Sequence, residues 1–465
     1  MAWKRSSVRA RSGPLHHPTV SAIAGTVVLF DLRSCASREH TEVEQQGRDV
    51  GAAHPQALFG GLSGIHGRLV RDRPRHRRPW ACRSARSAYA SGSMPSRVSG
   101  LLCIVMLALL AIGVGEAPSR IEHVVMVSVD GLRPECIAAP IAASYPALAR
   151  LARGPHTLQA RCDPQISVTL PNHIDMITGR TVAGDAGHGW IANDDPPSRK
   201  HGGTLHARND GYVSSVFDVA HDQGLSTALI CGKWKFVLFE QTYGEDAGGP
   251  DTLAPDNGRD KLDLFVCDPG PMSQADHTFT FLRDATLQGK RSVAFLHLPT
   301  PDFAGHASGW DLADGSPYRK GVADADGVLA RLLAAIEADA SLRGKVAIVL
   351  TADHGGGVPR ISHVDAEAPI NFTIPFLVWL GRDGESLDLY QLNRDTRRQP
   401  APSERFAADA PPPIRNGEMG NVALAILGLP AIPGSTANAA QDLRLQAAAQ
   451  PVAETGASTS KTASP

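Results

Sequence analysis

Three stretches of this 465-residue chain are predominantly apolar and rich in β-branched residues: 123–129, 292–298 and 345–351. They lack the alternation of a half-exposed strand, so each predicts a strand buried on both faces of a parallel sheet. Each also runs into an aspartate, Asp130 in VSVDGLRP, Asp302 in PDFAGH and Asp353 in LTADHGG, with a Gly close behind. In open α/β sheets ligands bind at the carboxyl ends of the strands, so the three carboxylates are expected to meet there. A single strand-end aspartate is ordinarily a cap for the next turn. Three of them, two with a histidine at ligand spacing (His306 and His354), point instead to metal coordination.

Between these runs the pattern is ordinary α/β. Residues 216–224 read as a helix stopped at Gly224, followed by a strand over 225–231. Residues 318–338 place Val322, Val328, Leu329, Leu332, Leu333 and Ile336 on one helical face. Another strand is expected over 373–380, and 411–435 reads as a loop, then a helix ending near Gly428. The fold class predicted is α/β, with a central, mostly parallel sheet flanked by helices. The stretches 183–213 and 241–260, rich in Gly, Asp and Asn, are long loops suited to substrate contacts. Trp190 and Asn193 stand in the first of them, where a pocket-shaping part and a packing part are both open.

Thr169, in SVTLPNH, precedes a segment with Pro171 near a helix start and Gly179 at a helix stop. That puts its hydroxyl at a helix N-terminus, where free N–H groups and the dipole favour an anion. His363, nine positions beyond His354 and followed by no other histidine, is the one downstream imidazole available. Three carboxylates, three imidazoles and a hydroxyl suffice for two metal sites sharing one nucleophile. Such a set hydrolyses a phosphoric ester through attack by Thr169, in-line departure of the leaving oxygen, and hydrolysis of the phospho-threonine by water.

In their order and spacing, DGLRP, TLPNH, GHG at 187–189, PDxxGH and DHGG resemble the alkaline phosphatase superfamily and, within it, the nucleotide pyrophosphatase/phosphodiesterase family, over about residues 121–445. The resemblance implies an alkaline-phosphatase-like fold with the bimetal site at the strands' carboxyl ends. It assigns one metal to Asp130, Thr169, Asp353 and His354, and the other to Asp302, His306 and a further histidine, here His363. It makes Thr169 the nucleophile and sets Asn172 against a phosphoryl oxygen. Two divalent ions are implied, zinc being the ion that imidazoles suit best. The substrate class is a phosphoric diester or pyrophosphate. Phosphonoacetate hydrolysis and phosphomonoesterase activity on the same site stay open, as does a non-catalytic member that binds without turnover. Val168 stands where relatives reading KTFPNH carry lysine, which weakens nucleotide specificity. The Asp-Ser-Ala nucleophile segment of alkaline phosphatases proper is missing, and the one sulfatase-like match, SMPSR at 93–97, lies far upstream of the catalytic strands.

A net charge of −1 gives no electrostatic basis for holding a nucleic-acid polymer. Residues 1–93 are Arg-rich, as in RDRPRHRRPW, and without sustained periodicity. Residues 94–117 then have a basic start, a short apolar stretch and small residues at a cleavage position, which is a secretory signal rather than a membrane span. Translation is therefore expected to start at Met94. A basic arm and the cytoplasmic tail of a signal anchor are the other readings of 1–93. Domains are expected at 118–445 (catalytic) and 446–465 (a disordered Ala/Ser/Thr/Pro tail), in a secreted or periplasmic protein acting on a small phosphate ester. Export would remove Cys35, Cys82 and Cys103 and leave Cys136, Cys162, Cys231 and Cys267, enough for two disulfides or for four buried thiols.

Overall fold

A computed structural model describes residues 9–10, 120–194, 203–406 and 411–446. All described residues lie in one unit of the chain. Apart from Arg9 and Ala10, the Arg-rich stretch, the export signal and the tail beyond residue 446 lie outside the described residues. No helix among the described residues is long and apolar enough to cross a membrane.

One sheet organises the described residues. Its strands are β1 (Arg9–Ala10), β2 (His123–Val129), β3 (Pro155–Arg161), β4 (Ser226–Cys231), β5 (Leu264–Cys267), β6 (Ser292–Leu298), β7 (Val346–Thr351), β8 (Thr373–Trp379) and β9 (Leu387–Asp388). The order across the sheet is β1-β5-β4-β6-β2-β7-β8-β3-β9. The pairings from β5 through β7 are parallel, as is β3 with β9. β8 runs antiparallel to both β7 and β3, and β1 antiparallel to β5. The three apolar runs are thus the adjacent central strands β6, β2 and β7, and every residue of each is buried. Their register pairs Val129 with Leu298 and Ser128 with Thr351, which brings all three aspartates to one edge.

Helices cover the sheet. Pro271–Leu287 packs on β4, β6 and the long helix Pro317–Ala338, whose apolar positions named above are all buried. Ser316 caps that long helix by accepting from Arg319 N at 3.2 Å. Val216–Asp222 and Met419–Ile426 pack on the central strands, and Thr169–Thr178 lies against both. The last of these stops where Gly179 takes φ +65°. The four described cysteines form no disulfide.

Candidate active site

The sharp turn after β2 exists because Gly131 takes φ +67°, and a Cβ there would press on Asp302 and Trp310. Its carbonyl accepts from Trp310 Nε1 at 3.0 Å and Tyr318 Oη at 2.9 Å, and its N–H donates to Asp353 Oδ1 at 3.0 Å. A β2 turn is thereby bolted to the end of β7. Trp310 also explains two motif glycines, since a Cβ at Gly305 or Gly356 would overlap its indole.

Thr169 is buried as the first residue of its helix, with Val168 extended ahead of it. Its Oγ1 lies 3.4 Å from His354 Nε2. Around it Asp130, Asp353 and His354 offer ligand atoms within 4.8 Å of one another, and Asp302, His354 and His363 do the same. His354 Nε2 is 3.1 Å from Asp353 Oδ2 and 3.6 Å from Asp130 Oδ1, while His363 Nε2 is 3.9 Å from Asp302 Oδ1. His306, one turn after Asp302 on helix Thr300–Ser308, places Nε2 3.4 Å from Asp302 Oδ1 and is the most exposed of the set, at 35% of its side chain. His354 therefore serves both groups in this structure, its ring stacked on His363 at 3.5 Å.

Two features show that the residues fit divalent ions. Asp130 Oδ1, Asp302 Oδ1 and Asp353 Oδ2 are buried and have no hydrogen-bond partner. Buried carboxylate oxygens left so carry a large desolvation cost unless a cation offsets it. Each imidazole, moreover, is held from behind by a backbone carbonyl. His354 Nδ1 faces Gly355 O at 2.8 Å, His306 Nδ1 faces Ile361 O at 3.0 Å, and His363 Nδ1 faces Ser167 O at 2.5 Å. Only a protonated Nδ1 can face a carbonyl favourably, so in a neutral ring Nε2 turns its lone pair toward the carboxylates. Two acceptors pointing at each other call for a proton or a metal between them.

The electrostatics agree. Burial alone would raise Asp130, but Lys233, His297 and His354 hold it well below the ordinary carboxylate range. Asp302 is held at about 2, with Lys233, His306 and His363 opposing burial and the Asp130 charge. Burial would lower His354, yet Asp353, Asp130 and Asp302 raise it to about 9, so without a metal a proton takes its place. His363, buried beside His354, is pushed well below its ordinary value.

Asn172 is fully buried, and both ends of its amide are engaged inside the protein. Its Oδ1 accepts from Asp163 N at 2.8 Å and Asn416 Nδ2 at 3.0 Å, and its Nδ2 donates to Ile166 O and Val168 O. It fastens the loop that presents Thr169, so this geometry offers no free amide edge to a phosphoryl oxygen. Another amide, that of Asn193, meets the start of the same helix, its Oδ1 accepting from Leu170 N at 3.0 Å. Two further residues bear on the carboxylates, and of these Lys233 escaped the sequence reading of the site. His297 donates from Nε2 to Asp130 Oδ2 at 2.8 Å while Gly232 N bonds its Nδ1, and Lys233 reaches two of the carboxylates. The signal for Lys233 was present: it follows a buried strand at the same carboxyl edge as the aspartates.

A buried two-group cluster of carboxylates and imidazoles beside a helix-end hydroxyl, at the carboxyl edge of a mostly parallel sheet, is an arrangement suited to metal-assisted hydrolysis. The sequence profile of the type I phosphodiesterase / nucleotide pyrophosphatase family matches residues 124–366, and the chain belongs to that family. No curated protein matches it by sequence. Among solved structures it is similar to an alkaline phosphatase superfamily protein from Vibrio parahaemolyticus (13% identity, 67% of either chain covered, TM-score 0.42). It is also similar to the murine ectonucleotide pyrophosphatase/phosphodiesterase 5 (21% identity, 50% of this chain and 57% of that one, TM-score 0.35). A third is the lipoteichoic acid synthase LtaP from Listeria monocytogenes (13%, 66% and 72%, TM-score 0.41). The family assignment rests on the sequence match.

Proposed function

We propose that the protein hydrolyses phosphoric diesters or pyrophosphates through a phospho-threonine intermediate at Thr169. The observation that carries this reading is the setting of the Thr169 hydroxyl, buried at a helix N-terminus, 3.4 Å from His354 Nε2 and beside three unpartnered carboxylate oxygens. Asp130, Asp353, His354 and Thr169 would hold one divalent ion and Asp302, His306 and His363 the other, zinc being the ion that the imidazoles favour. When bound, these ions supply charge neutralisation and Lewis-acid polarisation for phosphoryl transfer. Oγ1 attacks phosphorus as the bond to the leaving oxygen breaks, and the Thr169 proton passes through solvent to that oxygen. Water then attacks phosphorus, the Thr169–phosphorus bond breaks, and the hydroxyl is restored. The helix N-terminus favours the developing negative charge through its dipole, and Asn172 keeps the Thr169 loop in place. In this reading residues 94–117 export the enzyme, and its substrate is a small ester.

The test offers the zinc-loaded protein a chromogenic phosphodiester, the corresponding monoester and the corresponding sulfate. The diester should turn over fastest, and acid quenching should leave a phosphoryl group on the peptide carrying Thr169. Faster cleavage of the sulfate, or a quenched enzyme modified elsewhere, overturns the assignment.

A further inference from the structure

Lys233 stands two residues beyond β4, at the edge where the metal-binding side chains gather. It is buried, with Nζ 2.8 Å from Asp130 Oδ2 and 2.5 Å from Asp302 Oδ2. The Phe303 ring covers the ammonium, its centroid 5.3 Å from Nζ. Each of the two carboxylates is thereby divided: Oδ2 is bound to the lysine, while Oδ1 is buried without a hydrogen-bond partner and faces the imidazoles. Asp130 belongs to one ligand group and Asp302 to the other. Lys233 Nζ makes an ion pair with a carboxylate of each.

We propose that Lys233 is the positioning residue that yokes the two halves of the metal centre. Its ammonium turns Oδ1 of Asp130 and of Asp302 inward, fixes the separation between the halves, and cancels one of the three negative charges. A carboxylate alone can rotate or bind an ion through both oxygens. With Oδ2 engaged, each offers a single oxygen in a set direction, which is what groups behind a ligand contribute to metal affinity. With neutral imidazoles the donor set then carries two negative charges rather than three. Two divalent ions leave the loaded pocket positive, and an anionic ester is drawn into it. This inference rests on the two-ion reading given above.

The test strips the full exported chain with a chelator and titrates it with zinc against a chromogenic competitor, so that both affinities are read without any turnover. Lys233→Met should weaken both ions, each by about 10- to 100-fold. His297→Gln removes a partner of Asp130 alone and should weaken one ion only. Should Lys233→Met fail to fold by circular dichroism, Lys233→Gln, a neutral side chain of similar reach, is titrated in its place and should again weaken both. A variant at 233 that keeps both wild-type affinities, or loses only one, overturns the proposal. So does one that keeps both ions while only KM for the diester rises, because that puts Lys233 on the substrate. A wild-type protein that takes up fewer than two zinc ions sinks the two-ion reading itself, a separate result from any effect of the lysine.

Discussion

Two clusters in this molecule have nearly the same composition and different chemistry. At the carboxyl edge of the sheet, Asp130, Asp302 and Asp353 meet imidazoles and Lys233. Away from it, Asp222, Asp251 and His221 meet Lys261, and they too bring ligand atoms within 4.8 Å of one another. In the second cluster every carboxylate oxygen has a partner. Lys261 Nζ binds both aspartates, His221 Nδ1 lies 2.9 Å from Asp251 Oδ1, and backbone N–H groups of Thr252 and Asn257 take the outer oxygens. Its ammonium is already the cation, and the cluster ties a loop down. In the first, the lysine reaches only one oxygen of each of two carboxylates and three oxygens stay unpartnered. Residue types do not distinguish a metal site from an ion-pair knot. The accounting of buried acceptors does.

That contrast can be broken at several points. The largest effect is expected at the nucleophile: Thr169→Ala should lower kcat by at least about 10³-fold, on the scale of nucleophile removal in other covalent hydrolases. Zinc content measured beside the kinetics should stay near two per chain, and near-normal turnover would mean that water attacks directly. Next, His363→Ala should bring bound zinc toward one per chain and collapse turnover. Full retention of both ions would remove His363 from the ligand set. Acidity comes third. In the metal-free protein His354 holds a proton up to about pH 9. Zinc affinity should therefore rise about tenfold per unit as pH climbs toward 9 and level off above it. The same raised value stabilises the metal-free fold below its ordinary 6.5, and that contribution is lost as pH rises through about 9. Calorimetric titration at several pH values checks the slope, and a flat profile would deny the proton its place. The smallest effect on function belongs to the other cluster. Lys261→Met should cost about 3 kcal/mol of stability, as when one partner of a buried ion pair is removed. Zinc stoichiometry and turnover should hold, and loss of an ion would show that the two clusters are not so different.

The central sheet was legible because its strands are buried on both faces and leave apolar runs that end in Asp, a signal independent of tertiary context. Gly179 marked its helix end for an equally local reason, a left-handed cap. The edge strands gave no such trace. β3 reads PHTLQAR with half-buried and buried positions mixed, β5 is four residues long, and both are set by pairing partners distant in sequence. The antiparallel direction of β8 explains the short-spaced His363. Its first residue lies at the same edge where β7 ends, so a short loop keeps the histidine there. Lys233 had a positional signal, following a buried strand at the aspartates' edge, but its charge in GKWK suits a solvated turn equally well. The internal bonds of Asn172 were hidden for the opposite reason: the motif gives a residue's identity but not which way its amide faces.

The mutual bonds of Ser167 and His363, hydroxyl to one carbonyl and imidazole to the other, fasten the Thr169 loop to the His363 loop. Neither strip of chain can settle before the other, and both wait on strands that close only when distant stretches have met. Amide protons from 163–168 and from 357–364 should accordingly exchange as one cooperative unit. A chain still collapsing has nothing with which to hold an ion. Under the two-ion reading, metal uptake therefore follows folding rather than accompanying synthesis.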